Sequence, residues 1–243
     1  MKVADRPLEG KVALVTGAAC RIGRSVSLRL GRLGARVAVH YKTSAAEAFE
    51  TAELCGGKSF QADLEDFSAI GQLFEEVESS LGPLDLFVNN AGRYREVDIL
   101  KVTEEDWDFI HNVNLKAAFF CCQEAAKRMR DRGGRIVILS SLGATRPWTQ
   151  HAPYCASKAG VAMLTRVLAK GLAPKITVNS VAPGVIHFEN DMSPHVEHLV
   201  AVTPMRRPGC GEDIAEAVCG FFTGSSFITG QILAVDGGLS QRA

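Results

Sequence analysis

The 243 residues predict an α/β fold, a doubly wound parallel sheet of seven strands with helices on both faces. Two observations carry that expectation. Short, continuously apolar runs rich in Val, Ile and Leu recur along the chain, as strands covered on both faces require. Longer stretches of helical periodicity separate them at a spacing of about 25–30 residues, the length of a βαβ unit, whose crossovers are right-handed. The strands are KVALVT (11–16), ARVAVHY (35–41), KSFQAD (58–63), LDLFVN (84–89), GRIVILS (134–140), KITVNSVA (175–182) and QILAVD (231–236). Helices are expected near 21–33, 44–55, 66–81, 103–131, 152–172 and 211–222. The stretch 185–210 holds Pro194, Pro204, Pro208 and three histidines without a long period. It reads as a flap inserted after the sixth strand of one domain spanning 1–243.

Composition narrows the function classes. Apolar residues make up 47% and charged residues 22%, an ordinary globular balance that excludes a disordered, collagenous or coiled-coil chain. Lys plus Arg and Asp plus Glu both number 27, so no electrostatic footprint for nucleic acid or an anionic membrane is expected. No run of about 18 apolar residues is available to span a bilayer. The start, MKVADRPLEG, lacks the apolar core of a secretory signal. Seven cysteines (Cys20, Cys55, Cys121, Cys122, Cys155, Cys210 and Cys219) are scattered without a CxxC pair, which points to reduced thiols in a cytoplasmic protein.

The first strand runs into Thr16-Gly17-Ala18-Ala19-Cys20-Arg21-Ile22-Gly23 and then a helix. Gly17 permits a sharp turn, Gly23 permits close helix–sheet packing, and the helix N-terminus offers N–H groups to a pyrophosphate. The middle glycine of the usual GxGxxG pattern is absent, and an ordinary strand–helix turn is the competing reading. After the second strand comes His40-Tyr41-Lys42-Thr43-Ser44, with no acid to grip a ribose 2′-hydroxyl. Arg21 with Lys42, Thr43 and Ser44 suits a 2′-phosphate, so NADP is expected over NAD, unless Lys42 is only a solvated loop charge. Asp63, before Leu64, either accepts from an adenine amine or caps the next helix. Asn90, Ala91 and Gly92 follow the fourth strand, where small residues let backbone approach a cofactor and Asn locks the turn.

Tyr154 and Lys158 stand one turn apart on a single helix face. A phenol needs its anion stabilised to work near neutral pH, and a neighbouring ammonium does this. Ser141, at the end of the fifth strand, faces the same crevice and is placed to donate to a substrate oxygen. Asn114, within a helical stretch, is a polar group able to bend the helix and hold a water leading to Lys158. Singly, each residue has a bland alternative; in this order, after the phosphate turn, the set is specific.

At this point the chain resembles the short-chain dehydrogenase/reductase family over essentially its whole length. The matching pieces are TGAACRIG at 16–23, ADL at 62–64, NNAG at 89–92, NVN at 112–114, Ser141, YCASK at 154–158, Pro183-Gly184 and Asp236-Gly237-Gly238. The resemblance implies a Rossmann fold, a catalytic tetrad of Asn114, Ser141, Tyr154 and Lys158, and Lys158 on the nicotinamide ribose. It also implies cofactor contacts at Pro183, Gly184 and Ile186, and a homotetramer or homodimer. Within the family, Arg21 and HYKTS are similar to pteridine reductases, in which the phosphate-binding residues match Arg21, His40, Lys42 and Ser44. Ser141 and Gly92 depart from that branch toward an ordinary carbonyl reductase. The carboxamide contact after Pro-Gly falls on Phe188 or Asn190, depending on the alignment.

The expected activity is therefore hydride transfer from NADPH to a small-molecule carbonyl, with Tyr154 as general acid. A pterin substrate is the alternative, and a non-catalytic NADP-binding sensor is the rival from another class. His187, His195, His198, Phe188 and Met205 are candidate pocket residues on the flap, as are Arg93, Tyr94, Arg146 and Trp148 at the pocket mouth. Glu189 and Asp191 beside His195 and His198 spell out no complete ligand set, so no metal is expected. His111 reads as a satisfied structural histidine.

Overall fold

The computed structural model describes residues 6–188 and 194–241. In chain order the elements are β1 (Val12–Val15), α1 (Arg21–Arg32), β2 (Arg36–Tyr41), α2 (Ala45–Cys55), β3 (Lys58–Gln61), α3 (Phe67–Leu81), β4 (Leu86–Asn89) and α4 (Glu104–His111). They continue with α5 (Ala118–Met129), β5 (Gly134–Leu139), α6 (Ala152–Leu172), β6 (Ile176–Pro183), α7 (Pro194–Val202), α8 (Gly211–Thr223) and β7 (Ile232–Val235). The seven strands pair in parallel in the order β3-β2-β1-β4-β5-β6-β7. The order reverses between β1 and β4, and a parallel sheet opens its crevice at such a switch point.

Strand alternation divides the core into two layers. Val12 and Leu14 of β1 join Phe74, Phe87, Ile136 and Met129 under α3, α5 and α6. Ala13 and Val15 point the other way, to Val37, Leu30 and Ile214 under α1, α2 and α8. Both faces of the central strands are dry, hence the continuous apolar runs in the sequence.

Two elements differ from the sequence expectation. The helix expected over 103–131 is interrupted: Asn112–Ala117 forms a π-helical turn between α4 and α5. Residues 185–210 contain a helix, α7, begun by Pro194. Proline is tolerated in a first helical turn because its missing N–H has no intrahelical partner there. The segment is pinched at its base, where Ile186 bridges Gly209, and Gly209 N donates to Val185 O at 2.9 Å. Among the described residues, no helix is long and apolar enough to cross a membrane.

Candidate active site

The carboxyl ends of the parallel strands deliver the candidate residues to one edge of the sheet. Gly17 follows β1 with φ +59, a conformation favouring glycine. A Cβ at Gly17 would sit 3.0 Å from Ala91 Cα, and one at Gly23 would sit 2.3 Å from Gly17 O. Arg21 fills the missing-glycine position with φ +53, a left-handed backbone in a non-glycine residue. Its guanidinium lies 4.6 Å from the Phe188 ring centroid. Cys20 caps α1 without a side-chain bond, and no acid occupies the first turn. The helix dipole there is uncompensated by carboxylate.

The turn is held by residues on either side. Asn90 Nδ2 donates to the carbonyls of Thr16 and Gly17 at 2.8 and 2.9 Å. Thr16 Oγ1 accepts from the N–H groups of Asn90 and Ala91, both at 3.0 Å. Thr16 was not singled out from the sequence, although it opens the TGAACRIG run.

His40 was expected on the cofactor phosphate. It is buried instead, with Nδ1 accepting from Gly17 N at 3.1 Å and Nε2 donating to Ala62 O at 3.1 Å, the tautomer those partners require. Burial pushes its pKa down to about 4, so it is a neutral pin between three strand ends rather than a cation. Tyr41 and Leu64, also expected at the cofactor, pack into the two core layers.

Lys42 lies 2.8 Å from Asp63 and 2.9 Å from Glu65, and these carboxylates raise its pKa. Asp63, read as an adenine contact or a cap, is thus an ion-pair partner, and Asp66 is the residue that caps α3. Glu65 is gripped by both terminal nitrogens of Arg93. Ser44 precedes α2 as its cap residue without a side-chain cap bond, and Thr43 beside it is exposed.

At the other end of the crevice, the π-helical turn brings Asn114 inward to 1% exposure. Such turns are common at functional sites because they re-aim a side chain without ending the helix. Asn114 Oδ1 accepts from Arg93 N at 2.6 Å, and Nδ2 donates to Arg93 O at 2.8 Å and Ser157 Oγ at 3.3 Å. These bonds fix the backbone of the loop after β4.

Lys158 is buried, and Nζ donates to Leu139 O at 2.9 Å. Desolvation lowers its pKa to about 8. Tyr154 sits beside it, with Nζ 5.8 Å from the ring centroid. Burial raises the Tyr154 pKa, and the Ser141 hydroxyl works against that rise. The Lys158 ammonium, expected to make Tyr154 acidic, thus stands on the same side of the crevice as the phenol while one of its N–H groups is taken by Leu139 O. Ser141 itself is buried and accepts from Gly143 N at 3.1 Å.

On the far side of the crevice, Gly184 N donates to Val235 O at 3.0 Å, and a Cβ at Gly184 would sit 2.6 Å from Asp236 Cβ. Pro183 ends β6 in the core side of the crevice wall, and Ile186 is half-buried against the α1–α8 layer. Asn190, with Glu189 and Asp191, lies outside the described residues, as does the His195 side chain; His198 is exposed. Among the described residues, no group of three or more His, Cys, Asp or Glu is placed to hold a metal. His111 stacks on Trp107 and engages its carbonyl at 3.0 Å, as a structural histidine does.

Comparison with known proteins matches this arrangement. A family model described as Enoyl-(Acyl carrier protein) reductase covers residues 17–240. A protein of Picea abies named short-chain type dehydrogenase/reductase is 38% identical, over 95% of this chain and 93% of its own length. The chain belongs to the short-chain dehydrogenase/reductase family. Other short-chain dehydrogenase/reductase relatives include the 3-oxoacyl-(acyl-carrier-protein) reductase FabG of Staphylococcus aureus, 39% identical over 94% of this chain and 98% of its own. The NADPH-dependent aldehyde reductase-like protein of Arabidopsis thaliana is 35% identical over 96% and 95%. A solved variant of the Serratia marcescens short-chain dehydrogenase/reductase superposes with a TM-score of 0.91 at 38% identity, covering 96% of this chain and 99% of that one.

Proposed function

We propose that this short-chain dehydrogenase/reductase reduces a small-molecule carbonyl with NADPH, using Tyr154 as general acid. The observation that carries the proposal is the convergence of Ser141, Tyr154 and Lys158 at the strand ends beside the glycine turn. The cradle suits a dinucleotide: a Cβ at Gly92 would sit 3.4 Å from Asn114 Oδ1 and 3.6 Å from Lys158 Nζ, so glycine leaves the floor open. Gly17, Ile22 and Gly23 of the phosphate turn would hold the pyrophosphate. Arg21, Lys42, Thr43 and Ser44 would face the 2′-phosphate. Asn90, Ala91, Gly92, Pro183, Gly184, Ile186 and Lys158 would hold the nicotinamide half. Preference for NADPH is supported by the cations Arg21 and Lys42 and by the NADPH dependence in the name of the Arabidopsis relative.

When bound, the dinucleotide supplies the hydride. The chain supplies the rest. The Tyr154 phenol is protonated near neutral pH, the state required of a proton donor to a developing alkoxide, and the Ser141 hydroxyl, which works against the upward push of burial, favours the phenolate left behind. Ser141 donates to the same oxygen. Lys158, held by Leu139, keeps a positive charge beside them, and Asn114 fixes the loop that floors the site. The segment 185–210 acts as a lid on the single domain, and the protein assembles as a homotetramer or homodimer.

The pterin reading rests on Arg21, His40, Lys42 and Ser44. His40 is neutral and structural, so what remains of that signature selects a phosphate and not a pterin, and the Staphylococcus and Arabidopsis relatives are named for an oxoacyl group and an aldehyde. A sensor without turnover has no use for the assembled tetrad. The deciding experiment follows NADPH oxidation against diketones, quinones, oxoacyl thioesters and dihydropterins. Tyr154→Phe is expected to lower turnover about 100-fold or more with NADPH affinity retained; near-normal turnover overturns the assignment.

A further inference from the structure

The loops around Tyr154 bring four rings into one continuous wall. Tyr94, from the loop after β4, meets the Tyr154 ring edge-on at 5.1 Å. Trp148, from the loop after β5, lies parallel to Tyr154 within 4° at 6.1 Å. His151, just before α6, contacts Tyr94 at 4.8 Å and Trp148 at 5.8 Å between centroids. A hydrogen bond of 3.0 Å between Tyr94 Oη and His151 Nε2 ties the wall together. Yet it is not sealed: Tyr94 remains 57% exposed and Trp148 half-exposed.

Charge chemistry at the mouth sharpens this. Three arginines enter these loops, and each is engaged elsewhere. Arg93 forks onto Glu65, Arg95 bonds Asp106 at 2.6 Å, and both lie over the Phe109 ring. Arg146 donates to Leu239 O at 2.6 Å. The wall beside the reacting hydroxyl is thus aromatic, and its nearest guanidinium groups are committed away from it. Aromatic faces and edges reward a planar π-system over an aliphatic group of the same size. Tyr154 is itself part of the wall, so the planar group must be bonded directly to the carbon being reduced.

We propose, building on the carbonyl-reductase reading, that the substrates are aryl ketones and aldehydes, with Tyr94 and Trp148 as the specificity-determining residues and His151 positioning Tyr94. The test uses a size-matched pair, acetophenone and cyclohexyl methyl ketone, with NADPH oxidation as the readout. The wild type is expected to favour the aryl ketone at least tenfold in kcat/KM. In Trp148→Leu and in Tyr94→Leu that ratio is expected to fall about tenfold, mainly through KM. The ratio is independent of the fraction of active protein, so a partly unfolded variant still reports. His151→Phe, which keeps a ring and removes the bond to Tyr94, is expected to lower the ratio less than Tyr94→Leu. Equal rates on the two ketones, or a ratio that both leucine variants leave unchanged, overturn the proposal. Turnover of an oxoacyl thioester alone also overturns it while leaving the oxidoreductase reading standing; failure on every carbonyl overturns both.

Discussion

A buried histidine accepts a proton only by giving up a backbone partner, and His40 shows the consequence. Its Nδ1 must stay unprotonated to receive Gly17 N, the first amide of the phosphate turn. Held near pKa 4 when folded and released to about 6.5 when unfolded, it binds a proton in the unfolded chain first. Stability from this group is full above pH 6.5, declines as pH falls, and is gone below about 4. The gap corresponds to about 3 kcal/mol. Thermal melts between pH 7 and 5.5 are therefore expected to show a fall in Tm, before most carboxylates titrate, and His40→Gln is expected to flatten it. An identical slope in that variant would locate the proton elsewhere. Lys158 carries the opposite functional sign. Its charge, depressed to about 8 by burial, is present at neutral pH and lost above it. Turnover is expected to decline through pH 8 in a kcat profile, and Lys158→Met, with no charge to lose, is expected to remove both the decline and most of the activity. The sequence announced these residues unequally. Tyr154, Lys158 and Ser141 stood out because their spacing is chemical, whereas the neutrality of His40 follows from burial between strand ends, which no local pattern records.

At the scale of elements, the central strands were legible because both their faces are covered, so their runs are mostly apolar, while the two edge strands were placed by the regular spacing of the βαβ units. The π-helical turn was not. Apolar periodicity continues through Asn112–Ala117 into α5, and one inserted residue in a helix leaves composition unchanged. Asn114, a polar residue within the helical stretch, was its one signal. Helix α7 was hidden for a related reason: Pro194 reads as a breaker unless it is taken as the first helical residue. The π-helical turn is testable. Asn114→Leu leaves the half-buried N–H and C=O of Arg93 without their partners, at a cost of about 1 kcal/mol for each group. The expected outcome is a lower midpoint in urea together with a loss of activity, while Asn114→Asp, which keeps the acceptor toward Arg93 N, is expected to retain more of both. Element packing is equally demanding at α1. In Gly23→Ala a methyl carbon would replace a glycine hydrogen and stand 2.3 Å from Gly17 O and 2.7 Å from Asn90 Nδ2, so the helix start must move. Weaker NADPH binding by tenfold or more is expected by fluorescence titration, with the far-ultraviolet dichroism of the sheet and helices retained.

For the whole molecule, the two edges of the sheet are not equivalent. β3 is a short strand carrying Lys58 and Gln61 outward, a charged and polar edge that discourages pairing. β7, at the other edge, reads Ile-Leu-Ala-Val without a charge, with Leu233 45% exposed and Phe227 just before it 97% exposed. An unprotected apolar edge of this kind is covered in a stable protein by another surface, and in a homo-oligomer the same patch serves both copies across a two-fold axis. This is where the proposed assembly is expected to form. Sedimentation velocity is expected to give a mass that is an even multiple of 26.1 kDa, and Leu233→Lys is expected to shift it toward 26.1 kDa. A wild-type monomer at micromolar concentration would overturn the assembly. The consequence extends beyond mass. Beyond Leu233, the same strand holds the far side of the crevice: Val235 O receives Gly184 N, and Gly237 O receives Met205 N from the segment proposed as the lid. An edge loosened by the lysine therefore reaches the floor and the cover of the site together. Leu233→Lys is expected to raise the KM for NADPH and for substrate more than it lowers kcat, because Ser141 follows β5, Tyr154 and Lys158 stand on α6 and Asn114 on the π-helical turn, none of them on the β7 edge. A monomeric variant with unaltered KM values would separate the assembly from the site and show that β7 holds its loops without help from a second copy.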